Sequence, residues 1–197
     1  MSRLFELISN LPFPTLTRFQ CVLLIIVLIP TSIALIGGAP WVPTPSDRVK
    51  KMLALAKIKP GEKVYDLGGG DGRMVHFASI LYKANAVGLE FSPLVYALAK
   101  ILQPFYWLKG SRAKIQFRNF YKKNLSDADV IVFYLLPHAI RRLKPKWKKE
   151  LKKGTRIVSY AFPILDWTPT HRQKRIRKKS FCPLWLYTIG ESDKVKK

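Results

Sequence analysis

The stretch that most narrows what this chain can fold into is KVYDLGGGDGRMV, residues 63–75, with four glycines among residues 68–72. KVYDL has the apolar, β-prone character of a short strand, and the residues after the glycines recur with helical period. Strand, glycine turn and helix in that order form one unit of an open α/β sheet. Ligands of such sheets sit over the carboxyl ends of the strands, and glycines there let a ligand approach bare backbone. Counting sets two loop types aside. A triphosphate loop needs Lys-Ser/Thr after its last glycine, but Arg73-Met74 follow Gly72. The dinucleotide spacing G-x-G-x-x-G, counted from Gly68, would need glycine where Arg73 stands. The pattern that remains is D-x-G-x-G-x-G, on Asp66, Gly68, Gly70 and Gly72.

The rest of the chain alternates in the same manner. Ser46 is placed to cap a helix through DRVKKMLALAKI, with Val49, Met52, Leu53 and Ala56 on one face and a turn at Pro60-Gly61. A helix over roughly 72–83 turns Met74, Val75, Phe77, Ala78 and Leu81 inward. NAVGLE is a second strand ending at Glu90. Ser92-Pro93 opens a helix running towards Leu108, and Gly110 closes it. KIQFRNF is a third strand. DVIVFYLL, from Asp129, is a fourth, apolar on both faces as a central parallel strand must be. A basic helix around 143–153, with Trp147 and Leu151 inward, precedes a fifth strand, TRIVSYAF. From His171 to Gly190 a basic strand or loop leads into the apolar strand WLYTI. The fold expected is α/β, a mostly parallel sheet with helices on both faces.

The front of the chain differs. From Phe19 to Ile36 runs FQCVLLIIVLIPTSIALI, 18 residues without a charge, near the shortest length that spans a bilayer as a helix. Pro30 would kink it, which membrane helices tolerate. A signal peptide and an interfacial helix are the rival readings. Arg48, Lys50, Lys51, Lys57 and Lys59 follow the run, so the positive-inside rule keeps the large C-terminal part in the cytoplasm. The expected layout is an N-terminal segment (1–40) with a transmembrane helix, a stiff WVPTP linker (41–45) opening a domain over 41–190, and a basic tail (191–197). Cys21 and Cys182 read as small buried apolar residues. His76, His138 and His171 have no ligand spacing, and no metal site is expected.

Formal charge is +23, which favours lipid headgroups, nucleic acid or an acidic protein as partner. RRLKPKWKKELKK (141–153) and HRQKRIRKK (171–179) carry much of it. Beside an anchor these clusters suit anionic lipid, with nucleic acid as the alternative.

Glu90 lies 24 residues after Asp66, at the end of the second strand, where a carboxylate can accept two hydrogen bonds from a ribose diol. With it, the glycine pattern resembles motif I of class I S-adenosylmethionine-dependent methyltransferases, which are Rossmann-like. WVPTP, VYDLGGGDGR, VGLEFSPLV, VIVFYLLP and LKKGTRIVSYAF followed by DW are together similar, in order and spacing, to small bacterial relatives of the ATP-synthase c-subunit lysine methyltransferase family. The resemblance spans about Trp41 to Gly190.

It implies that Gly68, Gly70 and Gly72 let the backbone approach the donor S-adenosyl-L-methionine, whose product is S-adenosyl-L-homocysteine. It implies that Asp66 orients the donor's ammonium, that Glu90 holds the ribose and that Asn119-Phe120 flank the adenine. Relatives often carry an acid at the position of Asn119. Thr44 would close over the donor, and Tyr134 to Pro137 would receive the acceptor, with Tyr134 and Phe162 lining its channel. The implied function is methylation of a protein lysine at the membrane. The alternatives are an RNA or small-molecule methyltransferase, or a non-catalytic tethered module. YLLP stands where amino-methyltransferases of nucleic acids carry Asn/Asp-Pro-Pro-Tyr/Phe, which weighs against nucleic acid.

Overall fold

The computed structural model describes residues 36–173 and 182–194, together with residues 17, 19–21, 25 and 32. From Ser46 onward its elements are α1 (Ser46–Leu55), β1 (Lys63–Leu67), α2 (Arg73–Tyr82), β2 (Asn85–Glu90), α3 (Pro93–Leu108), β3 (Lys114–Phe117), β4 (Val130–Phe133), α4 (Pro137–Glu150), β5 (Arg156–Tyr160), β6 (His171–Gln173) and β7 (Leu184–Thr188).

One sheet holds the strands in the order β3-β2-β1-β4-β5-β7-β6. β1 to β5 pair in parallel, and β7 runs antiparallel to both β5 and β6. Alternation along the strands divides the core. Val64, Val130 and Val132 pack with Val49, Met52, Met74 and Ala78 of α1 and α2. Tyr65, Leu67, Ile131 and Phe133 pack with Ile140, Leu143 and Trp147 of α4. Two apolar faces need two covering layers, and that requirement makes the central strands apolar throughout. Strand order reverses between β1 and β4, so the crevice at their carboxyl ends is where a ligand belongs.

Several expectations need correction. Ser46 does not cap α1; it is the first helical residue, and Pro45 holds the cap position without a side-chain bond. The Pro45 carbonyl instead takes the N–H groups of Arg48 and Val49. In α2, Leu81 points outward and half-exposed, while His76 is buried in the inward set. His76 fits because Ser111 Oγ meets its Nδ1 at 2.8 Å and Tyr106 stacks on its ring at 4.2 Å. Burial pushes its pKa down to about 4. The third strand stops at Phe117, so Asn119 and Phe120 lie in the turn beyond it. The fourth stops at Phe133 and the fifth at Tyr160, followed by Ala161 with φ of 71°. The basic helix starts at Pro137, because proline at the first helical position pre-sets φ, and not at the lysine cluster. Trp147 and Leu151 are buried as expected. Cys182 is half-buried and Cys21 exposed.

Residues 19–36, read above as a membrane span, fall mostly outside the described residues. Among the described residues no helix is long and apolar enough to cross a membrane.

Candidate active site

The crevice at the switch point is a cavity in two joined parts that share Ala39, Gly68 and Glu90. The polar part is walled by Asp66, Gly69, Gly70, Asp71 and Arg73, by the segment Trp41 to Thr44, and by Tyr134. The second part lies between Phe91 and Ser92 on one side and Asn119, Phe120, Tyr121 and Arg142 on the other. Gly70, at φ of 57°, carries no Cβ where Trp41 Cδ1 would stand 3.3 Å away. A side chain there would press on the indole that roofs the polar part.

Two buried carboxyl groups dominate the electrostatics. Asp66 and Glu90 are 6% and 7% exposed. Glu90 Oε1 accepts from the N–H of Phe91 (2.9 Å) and Ser92 (2.7 Å), and Oε2 from the N–H of Gly70 (2.9 Å). Burial raises the Glu90 pKa, and those three bonds oppose the rise. Asp66 differs. Burial first, then the charges of Glu90 and Asp71, hold its carboxyl well above the usual range, and no donor among the described residues reaches it. A cationic group arriving beside Asp66 would restore its ionised form.

Residues 36–45 cross the mouth of the cavity as a strap, tied at both ends. Gly38 O accepts from Leu136 N at 2.8 Å, and Gly37 O from Tyr121 Oη at 2.9 Å. At the other end Arg73 Nη1 donates to Thr44 O at 3.1 Å, while Arg73 Nε holds the Asp71 carboxylate at 2.9 and 3.0 Å. The WVPTP segment, expected as a linker, is therefore part of the site. Its prolines keep it extended, and Arg73 fastens it to the glycine loop.

Thr44, Asp66, Gly68, Gly70, Glu90, Asn119, Phe120 and Tyr134 all line this cavity. Gly72 does not. It starts α2 at φ of 84°, and a Cβ on it would run into Ile115 Cδ1 rather than a ligand. Its requirement is conformational and steric. Asn119 Oδ1 already accepts from Tyr121 N at 2.9 Å, so the amide oxygen offered to an adenine is half used. Tyr134 lines the cavity with Asp66 and packs, away from it, on Tyr160 at 4.8 Å and Phe162 at 6.4 Å between ring centroids, Tyr160 being buried in the core and Phe162 lining neither part of the cavity. Burial raises the pKa of Tyr134 and of Tyr160, so both phenols stay neutral.

Sequence reasoning missed Trp41, Asp71, Arg73, Tyr121 and Arg142. Arg73 left a signal, as a lone cation in the glycine loop two residues after Asp71. The contribution of Arg142, whose guanidinium lies 4.2 Å from the Tyr121 ring centroid, has none, because the fold brings them together.

The cavity suits an elongated ligand with a cationic end at Asp66, a diol at Glu90 and a flat ring by Phe120. The family described as ANTKMT methyltransferase domain matches residues 66–171. A protein-lysine N-methyltransferase of Saccharolobus islandicus is 39% identical, over 77% of this chain and 94% of its own. The adenine nucleotide translocase lysine N-methyltransferase of Mus musculus is 33% identical, over 66% of this chain and 56% of its own. The ATP synthase c-subunit lysine N-methyltransferase of Homo sapiens is 28% identical, over 75% and 60%. The chain thus spans little more than half the length of these two mammalian relatives. A crystal structure of an RNA methyltransferase from Salinibacter ruber with S-adenosyl-L-homocysteine superposes with a TM-score of 0.70 at 28% identity, covering 79% of this chain and 100% of that one.

Proposed function

This chain belongs to the ANTKMT methyltransferase domain family and is an S-adenosylmethionine-dependent methyltransferase, and from that premise we propose that its acceptor is the side-chain amine of a lysine in a membrane-associated protein. The observation that carries the proposal is Tyr134, which lines the cavity together with Asp66 just past the end of the fourth strand and is backed by Tyr160 and Phe162. The names of the archaeal and mammalian relatives support the same acceptor.

The residues fit the donor as follows. Asp66 holds its ammonium, the backbone at Gly68 and Gly70 leaves room for the amino-acid part, and Glu90 takes the ribose. Asn119 and Phe120 bracket the adenine, and Trp41 with Thr44 covers the whole. When bound, S-adenosylmethionine supplies a methyl group on a sulfonium, which an unprotonated amine takes by in-line displacement. The protein's own task is alignment and desolvation. A lysine that reaches Tyr134 leaves water, which lowers its pKa and frees the amine. The neutral hydroxyl of Tyr134 accepts a hydrogen bond from that amine and orients it.

The apolar run 19–36 tethers the enzyme to a bilayer with its folded part on the cytoplasmic side. The basic clusters at 141–153 and 171–179 meet anionic headgroups. The uncharged run and the cations after it support this reading.

A second reading, RNA as acceptor, is favoured by the Salinibacter ruber relative. One experiment separates them. The protein is incubated with radiolabelled donor and with membrane-protein or RNA fractions of a cell. Label is expected on lysine in the membrane-protein fraction; label in RNA alone overturns the acceptor.

A further inference from the structure

α3 is an apolar helix that the core hardly uses. Of its 16 residues, PLVYALAKILQPFYWL, only Ala99 and Gln103 are buried. Leu94, Ala97, Ile101, Pro104, Phe105 and Leu108 are exposed and fall on one helical stripe. Ile101 is 74%, Phe105 54% and Leu108 89% exposed, with Trp107 beside them at 53%. Soluble monomers rarely leave such a stripe uncovered. α3 contains no acid, and Lys100 and Lys109 flank the stripe. Lys109 Nζ lies 4.1 Å from the Phe105 ring centroid.

The stripe continues past the start of α3. Phe91 and Phe117 stack at 5.3 Å, and both are 45% exposed. From this pair opens a hollow lined by Arg118, Lys122 and Lys123 with Asn119 and Asn124, and no acid lines it. Phe91 and Asn119 belong both to this hollow and to the wider part of the active-site cavity.

We infer that the exposed face of α3 and the adjoining basic hollow dock on an anionic lipid bilayer. The apolar stripe enters the headgroup–acyl boundary, as interfacial helices do. The three cations of the hollow take headgroup phosphates. RNA phosphates would suit the hollow too, but Leu94, Ile101 and Leu108 offer nothing to a nucleic acid. A bilayer uses both halves of the surface. Docked this way, the enzyme holds one rim of its donor cavity against the headgroups, where a lysine near a membrane surface would arrive. The meaning of that placement rests on the proposed acceptor; the docking itself is tested without turnover.

The test uses the full chain on vesicles of phosphatidylcholine with or without phosphatidylglycerol, containing phospholipid brominated on its acyl chains. The apolar run 19–36 could hold any variant on a vesicle, so the readout must be local. The difference in fluorescence between wild type and Trp107→Phe isolates Trp107. Bromolipid should quench that difference about twofold in anionic vesicles, as a ring at the headgroup–acyl boundary requires. Ile101→Ser with Leu108→Ser, and separately Arg118→Glu with Lys122→Glu, should abolish the quenching while calorimetry still shows S-adenosylhomocysteine binding. The inference is overturned if vesicle-bound wild type shows no quenching of Trp107. It is also overturned if the serine variant halves the solution mass, because the stripe then pairs two copies. Protection of the hollow by an RNA oligonucleotide, without lipid quenching, overturns it as well. Loss of donor binding in wild type would sink the enzyme reading and leave the docking result standing.

Discussion

Asp66 and Glu90 are two buried carboxyl groups on the floor of one cavity, and the fold treats them in opposite ways. Glu90 receives three backbone N–H groups before any ligand arrives. It therefore fixes the glycine loop and the start of α3. Asp66 receives none from the described residues and sits in the field of two other acids. The protein builds itself around Glu90, whereas Asp66 is buried without a partner among the described residues, a state that the proposed contact with the donor's ammonium would relieve. Position at a strand end makes both candidates for ligand contact, but only the bonding shows that Glu90 is already structural and Asp66 is not.

Isosteric changes separate them. Glu90→Gln replaces an acceptor oxygen by an NH2 group that must face an amide N–H. Leaving such buried groups unmatched costs about 1–3 kcal/mol. S-adenosylhomocysteine affinity should fall roughly 100-fold by calorimetry, since a bond to a charged group is worth up to about 3 kcal/mol. A Glu90→Gln protein with unchanged thermal unfolding would remove the structural half of the contrast.

Asp66→Asn should move the two readouts apart. Affinity for S-adenosylhomocysteine is expected to fall about tenfold, as its ammonium loses the opposite charge. Stability should rise instead at neutral pH, because the amide removes the cost of ionising a carboxyl that the fold holds well above the usual range. The sign follows from linkage. The folded-state pKa of Asp66 is raised, so the wild-type fold binds this proton more tightly than the unfolded chain. Wild type is thus favoured at acid pH and loses that advantage as pH climbs from the ordinary carboxyl range through the raised value. Thermal unfolding of both proteins across pH should coincide at the acid end and diverge above it. A gap that widens towards acid would overturn the assignment.

How much of this was legible beforehand follows a physical line. KVYDL and NAVGLE were read to the residue, because strand propensity, flanking turns and burial all agree there. Cavity residues contributed by those strands and the loops after them, Asp66, Gly68, Gly70, Glu90 and Tyr134, were legible because topology alone carries them to the switch point. Gly72 lies outside the cavity lining, and a glycine needed for positive φ and one needed for ligand approach look alike in a sequence. Trp41 and Arg142 are far from the glycine loop in the chain, and no local pattern says that a strap or α4 will meet it. For α3 the sequence marks the ends, Ser92-Pro93 and Gly110, but not the exposed face. Its apolar content was visible, but which side stays uncovered depends on β3 being the edge strand.

The smallest expected effect concerns the strap, which joins the two carboxyl groups to their cover. Arg73 is the clasp, since its guanidinium binds Asp71 with one edge and the Thr44 carbonyl with Nη1. Lysine keeps the charge but lacks the planar fork, so Arg73→Lys should satisfy Asp71 and release Thr44. Trp41 and Thr44 would then cover the donor less often, while Asp66 and Glu90 remain in place. KM for the donor should rise about threefold, as for the net loss of one partly solvent-exposed hydrogen bond worth about 0.5–1 kcal/mol, with kcat unchanged. A matching change in kcat would mean that the strap aligns the reacting groups rather than retaining the donor, and would move Arg73 from the cover to the chemistry.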